Sequence, residues 1–308
     1  IVHWRGNDAF TILDIDILQK IRRIAKGFFD GVKTFLENFR DTGKNVNIAN
    51  LDDWRKQRFG GEQFRALRHI RHAQTGFIHI GAQAFVEERL PQLQQKKNVV
   101  VICNVFGYTR EDYEATIRIL NQAEGIAAYE LNVSCPNTKR GGIQFGTDPV
   151  LLEEVVADCK SKARRPVIVK LSPNVSSIPQ MAHAAENAGA DAISLVNTFV
   201  ALAIDAETRR PRISNITAGL SGPAIKPIAL RMVYEAAHAV DIPVIGIGGI
   251  TTAEDVVEFM LAGAAAVQIG TANYWDPCAT EKIAGALERW CVEHRVKKIT
   301  DLIGGLQT

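Results

Sequence analysis

From residue 99 onward, short and almost wholly apolar runs alternate with longer helical stretches, and that alternation leaves few architectures open. The runs are 99–103 (V-V-V-I-C), 126–131 (I-A-A-Y-E-L), 166–171 (P-V-I-V-K-L), 192–196 (A-I-S-L-V), 243–246 (P-V-I-G) and Ala266–Ile269 (A-V-Q-I). Between them, 110–123, 149–163, the stretch from S-P-N to 188, 223–239 and 253–262 carry helical periodicity. Strands with no polar face are those of a parallel sheet covered on both sides. Two weaker candidates, near 11–15 and 46–50, bring the six strands to eight. Eight βα units predict a (β/α)8 barrel, α/β in class. A doubly wound open sheet is the runner-up, but no G-x-G-x-x-G follows a first strand.

The first 76 residues differ in kind. They hold 14 Lys+Arg against 9 Asp+Glu, a net +5, whereas the remainder is −3. Leu18, Ile21, Ile24, Phe28, Val32, Phe35 and Leu36 predict a helix over 18–39, and 46–51 reads as a strand. A basic helix follows to about residue 72, with Arg65, Arg68 and Arg71 on one stripe that reads first as a solvated face. His69 and His72 lack a third ligand, so no metal is expected there. The whole chain, 1–308, is read as one barrel domain with 1–76 as a divergent N-terminal segment.

The chemistry concentrates at 131–142, L-N-V-S-C-P-N-T-K-R-G-G. An apolar strand delivers Asn132, Cys135 and Asn137 to the rim, on a loop that Gly141 and Gly142 leave free to move. A thiol between two amides suits proton transfer beside a hydrogen-bonded polar substrate, because a thiolate serves as general base while amides fix orientation. A buried, inert cysteine is the alternative. The length of the motif and the other polar strand ends favour the chemical reading.

In a barrel of this kind the site lies at the carboxyl ends of the strands. Those ends are Asn104, Asn132, Lys170, Asn197, Gly248-Gly249 and Gly270-Thr271. Glycines at the last two ends let backbone N–H groups approach a phosphate, with the following helix N-terminus adding its dipole. Tight turns alone would explain either pair; both together, after strands seven and eight, favour phosphate. Lys170, closing V-I-V-K, puts a cation where an anionic reduced flavin or an enolate would need it.

Taken together, L-N-V-S-C-P-N-T-K-R-G-G-I-Q-F-G-T-D-P, V-I-V-K-L-S-P-N, V-N-T, G-L-S-G-P-A-I-K-P, V-I-G-I-G-G-I and V-Q-I-G-T-A-N resemble dihydroorotate dehydrogenase. G-G-I-Q-F-G-T-D is similar to the class 1B catalytic subunit rather than the fumarate-using class 1A. The resemblance runs from about residue 84 to the C-terminus. It implies a barrel holding one FMN, with Cys135 taking a proton from C5 of dihydroorotate while hydride leaves C6 for flavin N5. It implies Asn132, Asn137, Asn197 and Thr198 on the substrate, and Asn104, Asn132, Lys170, Val196, Gly222, Gly248, Gly249, Gly270 and Thr271 on FMN. It further implies a partner subunit carrying FAD and a [2Fe-2S] cluster that passes electrons to NAD, and a homodimer of barrels within a heterotetramer.

The departures lie at the start. A-S-G-T-F-G-like and K-G-T-T-like turns are absent from 1–76, and 76–83 reads G-F-I-H-I-G-A-Q, with Ile78 where the family has a substrate-binding asparagine. Ala218 replaces a usual glycine. Two alternatives therefore stand beside the dehydrogenase: an impaired FMN-barrel homologue with a structural or regulatory role, and an FMN oxidoreductase for another cyclic amide. Five widely spaced cysteines without a C-x-x-C pair predict reduced thiols and a cytoplasmic protein. A net charge of +2 argues against nucleic acid or a membrane surface as partner.

Overall fold

The computed structural model describes residues 81–95, 99–134 and 145–307, together with the backbone of two short strands, Val2–Trp4 and Ala9–Leu13. The helix expected over 18–39, the strand at 46–51, Ile78, the Arg65/Arg68/Arg71 stripe, His69 and His72 lie outside the described residues, as do Cys135 and Asn137.

Eight strands close into a barrel. In chain order they are β1 (Val2–Trp4), β2 (Ala9–Leu13), β3 (Val101–Val105), β4 (Ile126–Asn132), β5 (Val167–Lys170), β6 (Ala192–Leu195), β7 (Val244–Ile247) and β8 (Ala266–Ile269). The six from β3 to β8 pair in parallel, as their two apolar faces require. The closure differs from the expectation. β1 runs parallel to β3, but β2 is antiparallel to both β1 and β8. Only residues 5–8 join β1 to β2, too few for the crossover that parallel neighbours need, so an antiparallel turn-back is the available geometry. The strand alternation at 10–15 thus falls on β2, ending at Leu13, and its neighbour β1 carried no readable pattern.

The helices follow their caps. α1 (Arg110–Leu120) begins on a reciprocal Thr109/Asp112 capping box and buries Tyr113, Ile117 and Leu120, spaced four and three apart on one face. α2 (Pro149–Lys162) starts on Asp148 with proline in its first turn, and α3 (Ile178–Asn187) on Ser177. α4 (Lys226–Ala237), α5 (Ala253–Leu261) and α6 (Ala279–Glu293) complete the ring among the described residues.

Alternate residues of each strand face two different cores. Val101, Cys103, Tyr129, Leu131, Val167, Val169, Ile193, Leu195, Val244, Val267 and Ile269 join the helices in the larger cluster. Ile102, Ala128, Ile168, Ala192, Ile245 and Ala266, one from each parallel strand, form a separate small cluster inside the barrel. A register shift between Val101 and Ile102 lets Ala127 join it. Small and branched side chains fill the narrow interior, a packed floor rather than a pore.

The excursion after β6 is more ordered than its polar composition suggests. Phe199–Leu202 pairs antiparallel with Thr217–Leu220, and Ile204–Asp205 with Arg210–Pro211.

Candidate functional site

Two residues beyond each floor residue, the same inward alternation reaches Asn104, Glu130, Lys170, Ser194, Ile247 and Gln268. All but Ile247 are polar. The organiser is Glu130, which is fully buried. Its Oε2 accepts a hydrogen bond from Asn104 Nδ2 at 2.6 Å, and its Oε1 accepts from Ser194 Oγ at 2.8 Å and Gln268 Nε2 at 2.7 Å. The Lys170 ammonium stands 3.8 Å from Oε2, with both side chains nearly inaccessible. A carboxylate this deep is tolerable only with such donors, since an unpaired one would lose several kcal/mol of hydration. Gln268 Oε1 is itself buried without a hydrogen-bond partner.

Above this layer sits a chain of amides. Asn197 Nδ2 donates to Asn132 Oδ1 at 2.9 Å, and Asn197 Oδ1 accepts from the Thr198 N–H at 2.9 Å. Tyr113, from α1, donates its hydroxyl to the Asn132 carbonyl at 2.8 Å, fixing the end of β4. Asn174 Nδ2 reaches the Thr198 carbonyl at 3.0 Å, and Asn174 Oδ1 receives the Val200 N–H at 3.0 Å. A side chain on Gly219 would collide with Thr198 Oγ1 at 2.2 Å, so the hairpin 199–220 backs Thr198 closely. Register places Asn132 beside Lys170, which joins the amides to the buried layer.

The flanks of 135–144 are fixed on both sides. Ser134 Oγ donates to the Lys170 carbonyl at 3.0 Å. Phe145 packs edge-on against Tyr113, and Gly146 lies so close that a Cβ there would meet the Val133 carbonyl at 2.7 Å. The other cysteines with shifted thiols are poor bases. Burial pushes Cys103 and Cys159 up to about 12, and burial raises Cys291 as well.

Three turns converge across the mouth. Gly249, at φ +75°, stands where a Cβ would strike the Gly222 carbonyl at 2.8 Å; Gly222 itself has φ +99°. Thr271 Oγ1 donates to Ser221 Oγ at 2.9 Å. Gly248 abuts Ala229 of α4, and Val196 lies 3.5 Å from its Cβ position. Beside Gly270, by contrast, a Cβ would meet nothing within 4 Å. Glycine is thus required by backbone conformation at Gly222, by conformation and packing at Gly249, and leaves open room at Gly270, a cradle that fits a cofactor phosphate. The start of α5 carries a reciprocal cap: Asp255 Oδ2 accepts the N–H groups of Thr251 and Thr252 at 2.7 and 3.0 Å, and Thr252 Oγ1 accepts that of Asp255. Lys226 ties that carboxylate to Glu258 at 2.6 and 2.8 Å.

A family model of dihydroorotate dehydrogenase matches residues 56–290. This chain belongs to the dihydroorotate dehydrogenase family. The match extends into the segment before residue 84, where the motifs give no sign of it. A putative dihydroorotate dehydrogenase A (fumarate) from Solibacter usitatus is 59% identical over 233 residues, 76% of each chain. Catalytic subunits of dihydroorotate dehydrogenase B (NAD(+)) from Pelobacter propionicus and Citrifermentans bemidjiense are 50% and 51% identical over 232 residues, 75% of this chain and 76% of theirs. The chain is an oxidoreductase. Its family is built on the barrel found here, generally binds FMN and oxidises dihydroorotate to orotate in pyrimidine synthesis. Among the described residues no helix is long and apolar enough to cross a membrane, and no cluster of His, Cys, Asp and Glu could hold a metal ion.

Glu130, Ser194 and Gln268 escaped the strand-end reading because they lie inside strands. The signal was present. Counting back by twos from Asn132 gives Glu130, and from Gly270 gives Gln268.

Proposed function

We propose that this chain is the FMN-bearing catalytic subunit of an NAD-linked dihydroorotate dehydrogenase, with residues 1–308 acting as one barrel and one FMN per chain. Asn132, Asn137, Asn197 and Thr198 hold the carboxylate and ring amides of dihydroorotate, and Cys135 takes the proton from C5. FMN, when bound, accepts the hydride that leaves C6. Asn104, Asn132, Lys170, Val196, Gly222, Gly248, Gly249, Gly270 and Thr271 form its site. The observation that carries this reading is the Asn132–Asn197 pair, with Asn132 in register beside Lys170 of the buried layer and Val196, next to Asn197, packed against Gly248 of the glycine turns. Oriented amides, a buried cation and bare backbone are what oxidation of a cyclic amide against a phosphate-bearing cofactor requires.

Five cysteines so widely separated do not match a ferredoxin-like spacing. The [2Fe-2S] cluster and FAD that the class 1B resemblance implies belong to a partner subunit docked on a barrel homodimer, in the cytoplasm. The name of the Solibacter relative favours a second reading, in which fumarate takes the electrons directly. The test is anaerobic turnover of the purified chain with dihydroorotate, given NAD or fumarate in turn. We expect negligible NADH and no fumarate-dependent turnover. Rapid fumarate reduction would install the second reading, and NADH formation without a partner would end the first.

A further inference from the structure

We propose that Glu130 is a positioning residue that sets the reduction potential of the flavin by holding Lys170. The inference rests on the FMN reading above. Glu130 lies in the middle of β4 rather than at its end, and nothing local explains a carboxylate there: it caps no helix and closes no turn. Its hydrogen bonds to Asn104, Ser194 and Gln268 instead cross to other strands. Asn104 on β3, Ser194 on β6 and Gln268 on β8 converge on its two oxygens, and Lys170 on β5 stands beside them. Three neutral donors orient the carboxylate without cancelling its charge. That charge then acts on the one cation within 4 Å of it among the described residues.

The consequence concerns how much positive charge the flavin feels. Reduction leaves negative charge on the isoalloxazine ring, and a nearby ammonium favours that state. With Glu130 in place, the ammonium is drawn inward and partly balanced. Without it, the Lys170 charge is no longer balanced by the Glu130 carboxylate, and the reduced flavin becomes more stable. The 3.8 Å separation suits this role, since it is a charge–charge contact without the geometry of a tight hydrogen bond.

Gln268 makes the decisive variant clean. Its Oε1 has no partner, so in Glu130→Gln the Gln268 amide can turn over and accept from the new side-chain amide. The experiment measures the flavin midpoint potential of the full chain by anaerobic equilibration with a reference dye, for wild type, Glu130→Gln, Lys170→Met and the double variant. Glu130→Gln should favour reduced flavin by at least tenfold, an upward shift of about 30 mV for a two-electron couple. In the Lys170→Met background the same change should move the potential much less. No shift, or equal shifts in both backgrounds, would overturn the proposal, the second by showing that Glu130 acts through its own field. Should Glu130→Gln fail to retain flavin, Ser194→Ala serves instead. It removes one donor from the carboxylate, strengthens its hold on Lys170, and should lower the potential; a rise or no change would overturn the proposal. A wild-type chain that takes up no flavin would be recognised before any variant is compared, and would end the FMN reading and this one together.

Discussion

Glu130 and Asp255 are both buried carboxylates paired with a lysine, yet they do opposite kinds of work. Asp255 is explained by its own neighbourhood. It sits in the first turn of α5, takes the backbone N–H groups of Thr251 and Thr252, and meets Lys226 at 2.6 Å. The cap and the ion pair account for it as structure. Glu130 has no such local account, since its partners come from four other strands and enclose the interior beneath the mouth. A carboxylate whose burial is answered only by long-range partners is the one to associate with function. A carboxylate whose backbone donors all lie within four residues of it, with a lysine beside it, is the one to associate with stability.

The largest effect should come from neither. If chemistry depends on Cys135 while the carboxylates arrange and stabilise, Cys135→Ser should slow flavin reduction by dihydroorotate by roughly 100- to 10,000-fold in stopped-flow, with FMN still bound. Unchanged kinetics would remove Cys135 as the base. Next in size is Glu130→Leu, which leaves the amide of Asn104, the hydroxyl of Ser194 and the amide of Gln268 facing a hydrocarbon. Urea unfolding should show a loss of about 3 kcal/mol or more. A loss under 1 kcal/mol would mean that the layer is far looser than its distances indicate.

Asp255→Asn should cost less, about 1–2 kcal/mol, because a helix cap and a partly exposed ion pair are lost together. Its flavin potential should match wild type. A large shift in potential here would erase the distinction between the two carboxylates. The smallest effect is in pH dependence. Burial works to raise the Asp255 carboxyl, but the Lys226 ammonium and the N–H and hydroxyl donors of Thr251 and Thr252 outweigh it and hold the group below the ordinary carboxylate range. A carboxyl depressed in the folded state contributes fully above that ordinary range, and the contribution is lost as pH falls through the depressed value. The Tm gap between wild type and Asp255→Asn should therefore narrow in acid; a constant gap would assign it to packing instead.

The six parallel strands were legible because each is apolar on both faces, and the strand-end residues because polar side chains interrupt such runs abruptly. Strand β1 was not legible: three residues, V-H-W, carry no periodicity. The sense of β2 depends on the short link before it rather than on its own pattern. Glu130 and Gln268 were overlooked for another reason. A single polar residue inside an apolar strand reads as an exception until the inward face is followed across all six strands. The use of the α5 N-terminus for its own cap was signalled by T-T-A-E-D, where threonine precedes aspartate by three residues.

The central claim, that the amide pair and the cradle together make this barrel a flavin-dependent dihydroorotate oxidant, is tested most directly by one anaerobic spectrum. The purified chain should show visible flavin absorbance that dihydroorotate bleaches within a single turnover, one flavin per chain. A bound flavin that dihydroorotate leaves oxidised, or a chain that takes up no flavin when FMN is supplied, would contradict it.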